Sequence, residues 1–317
     1  MKLSPKKALT RPVTRYGLLA LLVIVWELSG RFNLVDQSFL PSFSETIATT
    51  VVMFQKSFLF THTMVSLTRV MIGLCLAVVS GTILSYLLGR VLPSVGWTLE
   101  PLFRVFGLIN PYCLFPLLVV FFGLGEAPKI LILAWVALWP VFFSSLAGLK
   151  DIDPALLQLA RSMGASKIQI FYKVIIPATA PSIFNGARIG VEMAFFILIA
   201  AEMTGATAGL GWIVHNAGAL YQVSRIYASG LIIVLLGFTI NRFLIFVRDG
   251  LFFWGRASLS GRDSLLPQNR TRISPLTLKA VTLTVAVVIG LGIYQIIMAE
   301  AKLNDPTVIP EYRVWTE

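Results

Sequence analysis

Repeated runs of apolar residues long enough to cross a lipid bilayer leave this chain very few ways to fold. Tyr16–Gly30, Val70–Gly89, Val105–Gly125, Ile130–Leu149, Pro181–Ala206, Ile226–Val247 and Ala280–Ala299 each approach or reach the span of a bilayer's hydrocarbon core. A segment at that depth must satisfy its own backbone N–H and C=O groups, which a helix does. The expected fold class is therefore all-α, a polytopic membrane protein with seven spans. Basic residues choose the orientation. Lys2, Lys6, Lys7, Arg11 and Arg15 precede the first run, and Arg90 follows the second. Arg161, Lys167 and Lys173 fall between the fourth and fifth, and Arg248, Arg256, Arg262, Arg270 and Arg272 follow the sixth. Cytoplasmic loops carry this excess of Lys and Arg, so every loop alternates consistently.

The expected organisation is a cytoplasmic N-terminus (1–15), a transmembrane domain (16–250) and a basic cytoplasmic linker (251–279). An additional transmembrane helix (280–299) and an outer tail (300–317) follow. The tail carries four acidic residues against two basic ones, which suits the outer side. A helix over Glu45–Phe54 reads as amphipathic and interfacial.

Composition removes other classes. Hydrophobic residues make up 56% of the chain and charged residues 13%, against about 25% charged in soluble domains. The net charge of +11 invites a nucleic-acid reading, but its clustering at the ends of apolar runs is that of a membrane protein, so no nucleic-acid partner is expected. Cys75 and Cys113 lie inside apolar runs and read as small core residues, not as a disulfide. His62 and His215 lack metal-ligand spacing, so no metal is expected. No phosphate-binding GxxxxGK[ST] string occurs, and no cofactor is expected.

The longest segment with helix caps, charges and no spanning run is DIDPALLQLARSMGASKIQIFYKVIIPATAP, 151–181. Asp153 is placed to cap a helix and Pro154 suits its first position. Leu156, Leu159, Ala160 and Met163 recur at helical spacing. Gly164 stands where a C-terminal cap belongs, Ser166 is placed to cap a second helix, and Pro177 is expected to end it. The result is a helix–turn–helix on the cytoplasmic side, either a plain hairpin or a partner-docking element. Pro111 and Pro116 predict a bend in the third run, structural or part of a pathway. Arg188 and Glu192 are expected to pair along one helix face, Glu202 lies nearer the outer end, and Arg69 and Arg104 are expected at membrane edges, away from substrate. Asn110, Pro111, Pro116, Glu192 and Glu202 are the candidates for pathway or gating.

These residues resemble a known family. The 151–177 stretch is similar to the cytoplasmic coupling loop of binding-protein-dependent ABC importer permeases, whose signature is EAA, three residues, Gly, nine residues, then I-x-L-P. Gln158, Leu159 and Ala160 occupy the EAA positions, with Gly164 and Pro177 at the required offsets and Val174 and Ile176 in the apolar places. Gln158 and Leu159 depart from the signature. LPSFSE (40–45), SLTRVMIG (66–73), FFGLGE (121–126), ARSMGAS (160–166), GARIG (186–190), IAAEM (199–203) and GLGWIV (209–214) occur in the order of the sulfonate/taurine/nitrate branch. The resemblance covers about residues 24–250.

The resemblance implies a non-enzymatic permease subunit in the bacterial inner membrane with a core of about six helices; members of this branch end after the sixth span, so the seventh is an addition. It also implies a cytosolic ATP-binding subunit, an external solute-binding protein and a second permease copy in a homodimer. The implied substrate is a sulfonate, nitrate, bicarbonate or similar anion. Leu156, Gln158, Leu159, Ala160, Met163, Gly164, Ala165, Ser166, Lys167 and Pro177 would form the ATPase-coupling element. An ion-driven secondary carrier is the alternative, although no internal repeat supports it.

Overall fold

The computed structural model describes residues 5–56, 58–251, 287 and 289–298. Among these residues the chain is helical, with no strand. In order, the helices are α1 (Pro5–Arg31), α2 (Phe43–Gln55), α3 (Phe58–Tyr86), α4 (Pro93–Gly107), α5 (Pro111–Phe122), α6 (Glu126–Lys150), α7 (Pro154–Ser162), α8 (Lys167–Ile170), α9 (Ile176–Met203), α10 (Leu210–Ala219) and α11 (Val223–Leu251). A further helix, α12 (Ile289–Met298), lies in the last apolar run. Four helical stretches are long and apolar enough to cross a membrane: Leu59–Val91, Glu126–Lys150, Lys167–Met203 and Val223–Arg248. The bent pair α4 and α5 makes a fifth if counted as one span.

The centre of the bundle is α6, gripped by α3 and α9. Two ladders of small residues bring the backbones together. On α3, Gly73, Ala77, Gly81 and Ser85 recur every fourth residue, continued by Gly89 in the π-helical turn Leu87–Val91 that follows. A Cβ added at Gly73 would lie 2.8 Å from Leu133 Cβ, and one at Gly81 would lie 3.1 Å from Val141 Cγ1. On α9 the ladder is Ser182, Gly186, Gly190 and Ala194. Gly186 closes on the Pro140 carbonyl and Gly190 on Ala137. Lipid tails are as apolar as leucine, so burial alone drives little helix association in a membrane; close backbone approach supplies the attraction. Around these seams Val70, Ile132, Leu133, Ala137, Val141, Val191 and Ala194 are almost fully buried.

Several expectations change. Val105–Gly125 is not one span: α4 and α5 meet at 90° across 108–110. Pro111 begins α5, where a missing N–H costs nothing, and Pro116 lies inside a continuing helix. The bend lies just before Pro111, as expected: Asn110 leaves the helical conformation, as a residue preceding proline does, and caps α5 by accepting from Tyr112 N at 3.0 Å. Pro177 does not end a helix. The chain runs from α8 through a π-helical turn at Phe171–Ile175 directly into α9, and a helix start tolerates proline. The stretch 207–225 contains α10, which folds inward and buries Leu210, Gly211, Ile213 and Ala217. Asn241 and Arg242 lie within α11. Asn241 accepts from Arg188 Nε at 2.9 Å, and Arg242 lies over the Phe238 ring. Cys75 and Cys113 are free but exposed, on helix faces turned out of the bundle rather than in its core. The Glu45–Phe54 helix appears as α2, capped by Ser42.

The linker 251–279 and tail 300–317 lie outside the described residues, apart from Leu251 at the end of α11. The described part of the seventh run packs on α3, where a Cβ at Gly292 would fall on the Thr68 hydroxyl.

Candidate functional site: the 151–177 element, a buried ion network and an open cavity

The segment after α6 is built as its caps predict. Asp153 accepts from Ala155 N at 2.8 Å to start α7, and Gly164 ends it at φ +78°. The Ala165 N–H reaches back to the Ala160 carbonyl at 3.1 Å, the long bond of a Schellman closure. Ser166 and Gln169 then form a reciprocal capping box for α8. One side of this element is anchored: Leu149, Ile152, Leu157, Ile170 and Ile175 form a small core with Tyr86 packed against it. The other side is bare. Leu156, Leu159, Met163 and Ile168 are 52%, 58%, 78% and 70% exposed. The inward residue is thus Leu157, and the apolar stripe read from the sequence faces away from the protein. Gln158, Gly164, Ser166 and Lys167 are exposed beside it, Ala160 and Ala165 half-buried. Such a contiguous apolar patch is what marks a protein contact surface.

At the opposite end, three buried charged residues, Arg69, Lys129 and Glu202, meet the half-buried Glu126. Arg69, expected at a membrane edge, is 1% exposed. Its guanidinium grips Glu126 through two bonds, Nε to Oε2 at 2.6 Å and Nη2 to Oε1 at 2.7 Å. Its Nη1 donates to Glu202 Oε1 and to the Ala208 carbonyl, both at 2.6 Å. Lys129 donates to Glu126 Oε1 at 3.0 Å. Two cations and two carboxylates balance, as burial at membrane depth demands. The planar fork of arginine allows one side chain to tie α3, α6, α9 and the 206–209 turn at once.

Glu202 also caps α10. Its Oε2 accepts from Gly211 N at 2.8 Å, Ser66 Oγ donates to both of its oxygens, and the same hydroxyl accepts from Leu210 N at 2.9 Å. Gly209 N donates to His62 Nδ1 at 2.8 Å, and the His62 ring stacks on Trp212 with centroids 5.1 Å apart. The three N–H groups at the start of α10 therefore all find acceptors, one of them an anion at the positive end of the helix. Gly209 must be glycine. Its φ is +134°, and a Cβ there would lie 2.5 Å from the Glu202 carboxylate oxygens.

Between the α4–α5 bend and the α6–α9 seam lies an open cavity of about 1150 Å³. Arg104, Asn110, Pro111 and Glu192 line it, along with the rings of Tyr112, Trp135, Trp139, Phe143 and Phe196. Arg104, the other residue expected at an edge, donates to Glu100 at 2.8 Å and lies over the Phe143 ring. Arg188 Nε is 3.5 Å from Glu192 Oε1, as the four-residue spacing predicts. Of the five pathway candidates, Asn110, Pro111 and Glu192 therefore meet in one cavity. Pro116 is exposed on α5 outside it, and Glu202 belongs to the buried ion network.

A family model described as the binding-protein-dependent transport system inner membrane component matches residues 77–252. The chain belongs to this family. The permease is 33% identical over 239 residues to the taurine transport system permease protein TauC of Escherichia coli K12, covering 74% of this chain and 86% of the relative. It is 26% identical to the putative aliphatic sulfonates transport permease protein SsuC of Bacillus subtilis, covering 76% and 89%. It is 28% identical to the nitrate import permease protein NrtB of a Synechocystis strain, covering 58% and 66%. A structure of the MetNI methionine ABC transporter, in an inward-facing conformation, superposes with a TM-score of 0.50 at 20% identity, covering 61% of this chain and 94% of that one. That likeness concerns the fold. The permease is an inner-membrane component of the sulfonate/taurine/nitrate branch of ABC importers, and its membrane-length helices fit that role.

The motif strings acquire a spatial meaning. SLTRVMIG supplies Ser66 and Arg69, FFGLGE supplies Glu126, IAAEM supplies Glu202, and GLGWIV supplies Gly209 and Gly211. Four strings scattered over 149 residues converge on one ion network. Lys129 and His62 were missed as members. A Lys three residues after Glu126 was the available signal for the first.

Proposed function

We propose that the permease carries a small sulfonate, nitrate or similar anion, delivered by an external binding protein, through a pathway shared by two copies of the chain. Hydrolysis of ATP occurs on a separate cytosolic subunit. The observation that carries this reading is the exposed apolar stripe Leu156, Leu159, Met163 and Ile168, presented by an element that is itself anchored to the bundle. A docked ATPase would move that element as a rigid body. Because α8 runs continuously into α9, the movement would reach Glu192 in the cavity and Glu202 in the buried ion network along one helix. The two states of the transporter then differ in how α9 sits, and ATP shifts the population between them. The second copy is proposed to cover the cavity beside the α4–α5 bend.

The same reading places the N-terminus and the basic linker 251–279 in the cytoplasm, with the tail 300–317 outside. α12, packed on α3, serves as a peripheral anchor.

Gly164 gives the test. Nothing lies within 4 Å of a Cβ built there, so the cost of substitution comes from its φ of +78° and from bulk at the docking surface. In vesicles holding the complete transporter, Gly164→Phe is expected to lower uptake per ATP hydrolysed about tenfold, matching a left-handed penalty of about 1–2 kcal/mol. Gly164→Asn, which tolerates that conformation, is expected to retain most coupling. Equal coupling in both variants would remove this element from the ATPase contact. Uptake that ran without ATP and collapsed with an ionophore would favour the ion-driven carrier.

A further inference from the structure

We propose that a second, smaller cavity, at the root of the 151–177 element, binds a neutral alcohol about the size of one ring, and that its occupation slows transport. The slowing rests on the coupling reading above; the binding does not.

This cavity, of about 180 Å³, is enclosed by α3, α6, the π-helical turn Phe171–Ile175 and the start of α9. Its volume is close to the roughly 150 Å³ of an engineered apolar cavity that takes up benzene. The rings of Tyr86 and Phe171, 4.4 Å apart between centroids, form part of the wall, with isoleucines and Leu149 around them. No charged residue lines it, so a charged occupant would be left without a partner. Ile83 is 61% exposed and Ile176 36% exposed. The cavity therefore opens between them to the surface of the bundle, where an amphiphile dissolved in the bilayer would enter.

Hydroxyl groups supply the specificity. Of the four serines and threonines lining the cavity, two are engaged: Ser85 donates to the Thr82 carbonyl at 2.9 Å, and Thr179 to the Ile175 carbonyl at 2.8 Å. The other two are not. Thr82 Oγ1 and Ser145 Oγ are sealed from solvent and make no hydrogen bond among the described residues. A helical serine or threonine can bond the carbonyl four residues back, as Thr68 and Ser80 of α3 do. Two idle hydroxyls beside one cavity carry a desolvation cost that a partner would recover. Each reorients by rotation about one bond, and an alcohol group donates once and accepts twice, so a single one can serve both. One water could bridge them as well, but it would occupy only about 30 Å³. A hydroxyl carried on an apolar ring fits both the polar pair and the remaining space.

The position gives the occupant its effect. The cavity borders the turn that joins the 151–177 element to α9, and π-helical turns recur at functional sites. A molecule wedged between this turn and α3 would hold the turn in place. A ligand that binds only this arrangement, at ten times its Kd, favours it about elevenfold.

The test uses para-fluorobenzyl alcohol and its hydroxyl-free counterpart para-fluorotoluene, with binding to the purified permease followed by fluorine NMR. Ser145→Ala and Thr82→Val are each expected to weaken the alcohol about fivefold, the worth of one neutral hydrogen bond, and to leave para-fluorotoluene within twofold. Thr82→Leu fills the cavity, and Ile83→Trp closes it from the exposed rim without altering a buried position. Both are expected to weaken the two probes at least tenfold. Affinities equal in wild type, Thr82→Leu and Ile83→Trp overturn the site and leave the idle hydroxyls to water. Alcohol binding unchanged in Ser145→Ala and Thr82→Val overturns the hydroxyl recognition and makes the occupant a plain hydrocarbon such as a lipid chain end. In vesicles holding the complete transporter, the alcohol at ten times its Kd is expected to lower uptake about tenfold. An equal loss in Ile83→Trp would be a bilayer effect and overturns the slowing, as does binding with undiminished uptake. Uptake without the alcohol reads the permease function separately.

Discussion

Replacing Arg69 by leucine is expected to destabilise the helix bundle by about 3–5 kcal/mol, the cost of leaving a buried charge unpaired. The effect follows from what remains. Glu126 keeps Lys129 at 3.0 Å, but Glu202 is fully buried and loses its only ion-pair partner among the described residues, and the Ala208 carbonyl loses its donor. Arg69→Lys is expected to fall between, because a single ammonium cannot reproduce a fork that reaches two carboxylates and a carbonyl. Thermal unfolding of the purified protein in detergent checks both. Changing Arg69 and Glu202 together to leucine removes the stranded charge. The double variant is therefore expected to lose less stability than the sum of the single losses, with a coupling of about 1–3 kcal/mol. Additive losses would mean that the two residues do not stabilise one another. An Arg69→Leu protein that unfolds like the wild type would mean that water reaches Glu202 from the outer side.

Replacing Gly186 by leucine is expected to cost about 3 kcal/mol or more, at the upper end of overpacking effects. The first added carbon would already lie 2.6 Å from the Pro140 carbonyl and 2.8 Å from Val141 Cα. Both obstacles are backbone, so no side chain can rotate away and α9 must separate from α6. The separation would not stay local. It would displace Glu192 at the cavity, Glu202 at one end of α9 and the root of the 151–177 element at the other. Folded protein recovered from the membrane and its unfolding temperature measure the loss. Gly230→Ala on α11 is the control: nothing lies within 4 Å of a Cβ there, and alanine is expected to be neutral or to stabilise by about 0.5–1 kcal/mol through helix propensity. If Gly186→Leu behaved like Gly230→Ala, the α6–α9 seam would be far looser than its contacts state.

Where a signal depends on neighbours along one helix, it was legible in advance. Asp153, Gly164 and Ser166 were read correctly because a cap is a local hydrogen-bond arrangement with a local residue preference. Arg188 and Glu192 were paired from their spacing for the same reason. Two further local signals were present and unused. The four-residue ladders Gly73-Ala77-Gly81-Ser85-Gly89 and Ser182-Gly186-Gly190-Ala194 announce close helix contacts, although not which helix they meet.

The errors share a different origin. The ion network of Arg69 was not foreseen, because its partners Glu126 and Glu202 are 57 and 133 residues away. Leu156, Leu159 and Met163 were read as one apolar face, correctly, yet periodicity does not say whether such a face turns toward the protein or away from it. Of the two prolines expected to mark the α4–α5 bend, Pro111 stands at it, beside the α5 cap Asn110, whereas Pro116 lies inside α5. Proline's missing N–H matters inside a helix and not at its start.

The amino-acid sequence by itself determined that this chain lives in a membrane, where the caps of α7 and α8 fall, and to which family it belongs. Hydrophobic length, charge bias, capping and motif order act over one helix or one loop, and a linear chain displays them directly. Only the tertiary structure decided that four separated motifs form one neutral buried network, and that Arg104 and Glu192 face a common cavity. It also decided that Leu156 and Leu159 of α7 point outward and Leu157 inward. Each of these depends on which helix faces which, and close packing of small residues around α6 sets that arrangement.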